Sequence, residues 1–578
     1  MASRLKISER IRITHLAADR LRREAISSVL YSPPFRWQFG ATAAEQLLIV
    51  PQDLRTADPS FWDEIEGGEF GLAGAVAHAD DMSPFDLVPP SEGWERALHG
   101  FAWLRHLDAV GRPEARHMAQ LLAAEWAMRH RGGGGGLAWE PHVTGRRLIS
   151  WISHSSLLLE EIDAETYGII TESLGLQLVR LSANWRTSPS GYPRLLSLLA
   201  LLLAQLCISG HEGQVGETEK LFGEELDRQI LPDGGHISRN PGILVELILD
   251  LLPLGQCFVA RSRRTPPAFA SALKAMLGML KYMRLGDGML ARFNGMGVAS
   301  PAGLATVLVY DDNPGAVPPS APASKYIRLE RGPSILILDA GPPPPLESAA
   351  EAHAGCLSFE FSVGTSLMLV NGGAPSSANA EWRAAARATA SHNTLCLGEK
   401  SSSKLIRHRT LEELVGGPPI RFPDDVAARI EAHDGAVEVA ARHDGYVRRF
   451  NLVHHRTLAL GATGRRLLGI DRLAGRAGTI RLRRDVPFAI HFHLHPAVRC
   501  RRSDNPSVAV IELPGGDTWW LSLEGARLAI EESTYFADSA GPRRSLQIVA
   551  RGATFGETEV RWVLEGQDQT TGHRVPSV

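Results

Sequence analysis

From about residue 90 to residue 290 the apolar positions return every three to four residues, the spacing that lines one face of an α-helix. In WERALHGFAWLRHLDAVG, Leu98, Phe101, Leu104 and Leu107 recur along one face, and Gly111 ends the run. Further helices are predicted at ARHMAQLLAAEWAMRH, GRRLISWISHSSLLLEEI, TYGIITESLGLQLVRLSANW, PRLLSLLALLLAQLCI, VGETEKLFGEELDRQIL, GILVELILDLLPLGQCFVAR and PAFASALKAMLGMLKYM. The links between them are short, and several helices are apolar over most of their circumference. Stacked helical hairpins with fully buried inner helices satisfy both features, so an (α/α) toroid is expected over residues 1–310. The run LLSLLALLLAQLCI at 195–208 falls short of the roughly 20 residues a bilayer crossing requires. It reads as a buried helix, and no transmembrane segment is expected.

After Tyr310 the pattern changes. DDNPGAVPPSAPAS and GPPPPLES are rich in turn formers, and YIRLERGPSILILDA between them reads as two strands about a turn, so residues 311–345 form a linker and first strands. From 346 to 578 the alternation has period two, as in CLSFEFSV, SLMLVNG, HNTLCLG, GAVEVAAR, TIRLRR, FAIHFHLHP and TWWLSLEG. About a dozen such segments at hairpin spacing, with no helices between them, predict an antiparallel β-sandwich. The fold class is therefore α+β and multidomain, an N-terminal (α/α) toroid followed by a C-terminal antiparallel β-sandwich.

Composition narrows the function classes. A chain of 578 residues exceeds what one core usually supports, and 44% hydrophobic with 22% charged residues excludes a disordered chain. A formal net charge of −3 gives no global attraction to nucleic acid or to an anionic membrane, so no nucleic-acid partner is expected. Cys207, Cys257, Cys356, Cys396 and Cys500 are scattered and include no CxxC pair, which speaks against a disulfide framework or a cysteine zinc site. The opening MASRLKISERIRITHLAADRLRREAISSVLY is charged and lacks the apolar core of a secretory signal, so a cytoplasmic location is expected, or a periplasmic or envelope one if a leader precedes this start. GGGGG at 132–136 lacks the GK[ST] of a phosphate loop and reads as a connector between helices.

Between two predicted helices lies DGGHISRNP, residues 233–241. Its glycines permit positive φ, Asn240-Pro241 opens the next helix, and Asp233, His236, Arg239 and Asn240 are brought together. One reading is a set of donors delivered to a cleft; the other is helix capping by Asp233 and Asn240 with His236 filling a gap.

DGGHISRNP, followed by AHAGCLSFEF and SHNT, resembles the heparinase II/III family of polysaccharide lyases, and LHGFAWLRHL has the look of that family's early toroid helices. The resemblance covers most of the chain. It implies a cleft between toroid and sandwich that binds an acidic glycan, and β-elimination at a uronic acid. That reaction needs the carboxylate charge neutralised, a base for the C5 proton and an acid for the leaving oxygen. His236, Arg239 and Asn240 suit the neutralising role, since each donates hydrogen bonds to a carboxylate. Two departures stand out. Where the family places a tyrosine shortly after the loop proline, this chain reads Pro241-Gly242-Ile243; where it carries HGHAD, this chain reads EAHAG, with Glu351 in place of the first histidine. Glu351 becomes the candidate base and Tyr446 in HDGYVRRF the replacement phenol. The readings left open are a lyase for uronic-acid glycans, a catalytically altered glycan-binding or envelope-polysaccharide assembly protein, and a hydrolase pairing Asp233 with Glu351.

No cofactor is required for elimination. The resemblance implies a structural zinc at the positions of His353, Asn371 and His392, although an asparagine is a weak zinc ligand, and without metal the two histidines would bond across neighbouring strands. Trp139, Arg146, Arg186 and Tyr192 suggest a basic, aromatic lining for an anionic sugar; Trp103, Trp126, Trp139, Trp151 and Trp185 could each stack on a sugar ring, while their helical spacing suits a core. In FAIHFHLHP, His491, His493 and His495 share one strand face, expected to be a polar outer face, and Ile490, Phe492 and Leu494 the other.

Overall fold

The computed structural model describes residues 7–567 other than 31–42, 45, 80–81, 133–134, 314, 377–378, 407–408, 434 and 477–480. The glycine connector at 132–136 thus lies partly outside the described residues. The helical half is built from α1 (Glu92–Gly100), α2 (Pro113–Arg129), α3 (Pro141–Ser153), α4 (Ala164–Asn184), α5 (Tyr192–Cys207), α6 (Val215–Gln229), α7 (Pro241–Ala260), α8 (Pro267–Tyr282) and α9 (Pro301–Val309). The odd-numbered helices pack side by side as an inner ring, and the even-numbered ones brace them from outside. This is the expected toroid. The inner positions explain the apolar sequences: every residue of α5 from Leu195 to Cys207 is buried. In α7 an 18-residue window has a mean hydropathy of 1.9, long and apolar enough to cross a membrane, yet 61% of it is buried within the toroid. Proline at the first or second position opens α2, α3, α5, α7, α8 and α9, where its missing N–H costs nothing.

The second half contains β1 (Tyr326–Arg331), β2 (Ser334–Asp339), β3 (Phe359–Val363), β4 (Ser366–Leu369), β5 (Leu395–Leu397), β6 (Val426–His433), β7 (Ala436–His443), β8 (Leu452–Leu460), β9 (Arg466–Gly475), β10 (Arg481–His493), β11 (Arg499–Arg502), β12 (Val508–Glu512), β13 (Thr518–Glu524), β14 (Arg527–Tyr535), β15 (Arg543–Gly556) and β16 (Thr558–Gly566). All pairings are antiparallel. An eight-stranded sheet in the order β11-β12-β13-β16-β9-β8-β7-β6 faces two four-stranded sheets, β14-β15-β10-β5 and β1-β2-β3-β4, which a bridge between Leu369 and Leu494 joins. Phe359 stacks on Trp562 and Phe361 meets Trp519 edge-on across the layers. Sequence alternation correctly gave this sandwich.

Two details differ from expectation. Short helices Ala380–Ala386, Arg409–Val415 and Val447–Phe450 interrupt the strands. In β10 and just beyond it, Ile490, Phe492 and Leu494 enter the core as predicted, but His491 and His493 are also buried: His491 bonds Gln547, and His493 bonds Ser533 and the Ala390 carbonyl. The turn through residues 388–392 covers that face, so it is not the polar outer surface that alternation alone suggested.

Candidate functional site

The loop 233–241 is fixed by backbone sterics. Gly234 has φ +85°, and a Cβ there would lie 1.9 Å from the Ala275 carbonyl oxygen, so only glycine fits. The side chains then point into the junction between the two halves. Asp233 accepts from the N–H groups of Gly235, Ala323 and Ser324 and from the Ser324 hydroxyl. Arg239, in left-handed backbone at φ +58°, donates to the carbonyls of Ser324 (2.9 Å) and Pro342 (3.0 Å) and to Asp339 (2.6 Å), under the ring of Tyr326. His236 lies between Gln229 (Nε2, 2.9 Å) and Ser238 (Nδ1, 2.7 Å), only 2% exposed, and burial pushes it down to about 3. The cavity beside His236 and Arg239 measures about 10 Å³, room for a single water at most.

These placements correct several expectations. Arg239 ties the loop to the second half through Asp339 and Pro342, His236 is bonded within the helical half to Gln229 and Ser238, and both side chains are buried. Asp233 is committed to the backbone of residues 323–324, which removes the glycosidase pairing with Glu351. Tyr446 is 1% exposed, donates its hydroxyl to the Leu395 carbonyl at 2.7 Å inside the sandwich core, and burial drives its pKa well up; a phenol there cannot meet a substrate at the junction. Trp139 is buried beneath the guanidinium of Arg180 at 4.1 Å and belongs to the toroid core. Arg186 is exposed but stacks on Trp185 at 4.4 Å, in a turn packed against the helix Ile7–Leu30.

Other polar groups lie where α5 and α7 approach residues 295–351. Asn240 caps α7, its Oδ1 accepting from Gly242 N–H at 2.9 Å. A Cβ on Gly242 would sit 3.3 Å from that oxygen and 3.4 Å from Met296, and one on the adjoining Gly295 would sit 2.8 Å from the Cβ of Glu351. Asn240 and Glu351 therefore flank the turn that carries Met296, and Glu351 is exposed. Ser348 lies against Gly191 at the start of α5, where Tyr192 accepts a hydrogen bond from Arg146 at 2.9 Å. Arg146 is spent on Asp250, two bonds of 2.7 Å, and Arg55 shares the same carboxylate at 2.7 Å while holding Glu246 at 2.9 Å. Burial opposes ionisation of Asp250, but Arg146 and Arg55 prevail and hold its carboxyl below the usual range. One helical turn before Arg146, His142 presents a buried Nδ1 with no hydrogen-bond partner, and burial pushes the ring down to about 4.

Sequence reasoning missed His142, Glu246, Asp250 and Arg55. The i, i+4 spacing of His142 and Arg146 was one usable signal, and the carboxylates Glu246 and Asp250 inside the apolar run of α7 were another. Arg55 carried none, since only the fold brings it to α7.

At the positions of the implied zinc site the side chains bond one another and their neighbours. His353 Nδ1 and His392 Nε2 bond each other at 3.0 Å, while the Asn371 amide donates to the Arg292 carbonyl and accepts from Asn393 N–H. No group of three or more His, Cys, Asp or Glu placed to hold a metal occurs among the described residues.

Comparison with known proteins bears on the family and the fold. Residues 313–563 match the heparinase II/III-like C-terminal family model. The chain is 30% identical over 548 residues to FtsZ-localized protein C of Caulobacter vibrioides, covering 92% of each. The chain belongs to the heparinase II/III-like family. Its fold is shared with heparinase III (TM-score 0.65, 14% identity, 84% of this chain and 80% of that one). A mutant of heparan sulfate lyase HepC from Pedobacter heparinus gives TM-score 0.60 at 15% identity, covering 96% of this chain and 90% of that one. In this heparinase II/III-like protein the two-part architecture of toroid and sandwich is therefore shared with those structures.

Proposed function

We propose that the protein recognises a glycan at the toroid–sandwich junction and does not cleave it by β-elimination. The observation that carries this reading is the commitment of His236 and Arg239 to Gln229, Ser238, Asp339 and the carbonyls of Ser324 and Pro342. With these two committed, Asn240 is what remains of the three groups suited to quench a uronate carboxylate, and elimination loses much of its electrostatic stabilisation. Family membership supports the glycan. The name of the relative in Caulobacter vibrioides supports a place beside the FtsZ division machinery.

The lyase reading keeps one favourable feature: Glu351 is an exposed carboxylate at the Gly295-Met296 turn, and a proton-abstracting base must be accessible. A panel of uronic-acid glycans and N-acetylated glycans, followed by binding calorimetry and by the ultraviolet absorbance of unsaturated uronate, separates the two. Binding without that absorbance is the expected result; turnover that is abolished in Glu351→Gln would establish the lyase instead. A fluorescent fusion that fails to follow FtsZ, or that reports export rather than a cytoplasmic site, would overturn the proposed location.

A further inference from the structure

The eight-stranded sheet ends differently on its two sides. β11 is four residues long and carries three arginines, features that keep an edge from pairing with another strand. β6, at the other end, runs for eight residues, VAARIEAH, with no proline, no bulge and, among the described residues, no strand beyond it. Just before the strand the Asp444 N–H donates to the Asp425 carbonyl, so the ladder bonds to β7 fall on the odd-numbered residues of β6. The N–H and C=O groups of Val426, Ala428, Ile430 and Ala432 therefore point to the open side.

The side chains sort by the same parity. Val426, Ala428, Ile430 and Ala432 lie opposite His443, Ala441, Val439 and Val437 on the core side of the sheet, where Val439 and Ala441 are buried but Ile430 is 52% exposed. The apolar layer thus runs past the last strand into solvent. Ala427, Arg429 and Glu431 project from the outer face; Arg429 and Glu431 are 3.4 Å apart, with side chains 74% and 44% exposed. Glu431 lies directly opposite Glu438 of β7, a like-charge pairing that a cation arriving on the open side relieves.

We propose that β6 is a dimer interface, pairing antiparallel with the same strand of a second copy of this chain about a two-fold axis through Ile430. In that register Ile430 meets the partner's Ile430 and Ala428 meets the partner's Ala432, so the outward N–H and C=O groups bond one another. On the outer face Arg429 meets the partner's Glu431, and the symmetry repeats the pair. Charge selects this register: the neighbouring registers that keep the same hydrogen-bonding parity set Arg429 against the partner's Arg429, or Glu431 against the partner's Glu431, and like charges directly opposite are destabilising. The stretch Ala428-Arg429-Ile430-Glu431-Ala432 is its own complement when reversed, which favours a second copy over an unrelated peptide. Dimerisation joins the two eight-stranded sheets into one continuous sheet and continues the apolar layer across the axis.

Sedimentation velocity on the full chain over a concentration series tests it. The protein should run as a dimer that dissociates on dilution. Arg429→Glu sets acidic groups face to face across the axis and should weaken the dimer by about tenfold or more, and Glu431→Arg should do the same with basic groups. An equimolar mixture of the two variants should dimerise again, because each strand then meets only opposite charge, and so should a single chain carrying both exchanges. A folding defect cannot produce that rescue. Ile430→Pro removes an outward N–H at the axis without breaking a bond to β7, and should leave a monomer whose melting curve shows it folded. A wild-type chain that stays monomeric at its highest soluble concentration overturns the proposal. So does a dimer indifferent to both charge reversals, or a pair of reversal variants that fail to rescue each other when mixed.

Discussion

Several histidines here are interior groups rather than surface titrators. Burial pushes His236 and His493 to about 3 and His392 to about 4, from an ordinary 6.5. Each stays neutral in the folded protein over a range in which the unfolded chain binds a proton. Stability is therefore level above about pH 6.5 and falls as pH drops toward the folded values, by about 1.4 kcal/mol per pH unit for each such histidine. Melting temperature measured against pH should fall steeply below that point, and His236→Gln should flatten the acid limb; an unchanged limb would mean that His236 is not held neutral. Gly234→Ala should cost at least about 1–2 kcal/mol from left-handed backbone alone, with the clash against Ala275 added, and leave little folded protein in a solubility assay. Zinc should not raise the melting temperature, because the two candidate imidazoles already satisfy each other. At this scale the residues of the loop were legible but their direction was not. The sequence DGGHISRNP is equally compatible with donors facing a cleft and donors facing Asp339, which lies a hundred residues away along the chain.

Among the elements, the inner helices follow directly from their composition. Residues of α5 and α7 are apolar around the helix because neighbours cover them on nearly every side, so Leu199→Ala, at a fully buried position, should cost about 2–5 kcal/mol in denaturant unfolding. The cap at α7 is a smaller effect: Asn240→Ala should cost about 1 kcal/mol. Long apolar periods located the helices and strands, although WERALHGFAWLRHLDAVG is two helices, Glu92–Gly100 and Leu104–Val110, broken where Phe101 takes left-handed backbone. The three short helices within the sandwich were not, since four to seven residues are too few to establish a period of 3.6. Alternation in β10 gave the right face to the core and the wrong environment to the other, because a pattern records polarity and not what packs above it.

Across the molecule, the junction depends on a buried ion pair, Arg239 with Asp339, reinforced by the Tyr326 hydroxyl donating to the Arg239 carbonyl and by Asn294 reaching both Tyr326 and Asp339. Arg239→Met leaves Asp339 buried without its partner, at a cost of about 3–5 kcal/mol, and should split a single calorimetric transition into two as toroid and sandwich melt apart. One unsplit transition at the original temperature would show that the halves are held by other contacts. The sequence by itself determined the two-part architecture, since hydrophobic periods of 3.6 and 2 are local and survive in any register of the neighbours, and it determined the family through three short motifs. Only the tertiary structure decided which polar groups face the junction and which carry charge there. Pairing of Arg146 with Asp250 or of Arg239 with Asp339 joins residues about a hundred positions apart, and the electrostatics of a site belong to such long-range pairs rather than to any one stretch of chain.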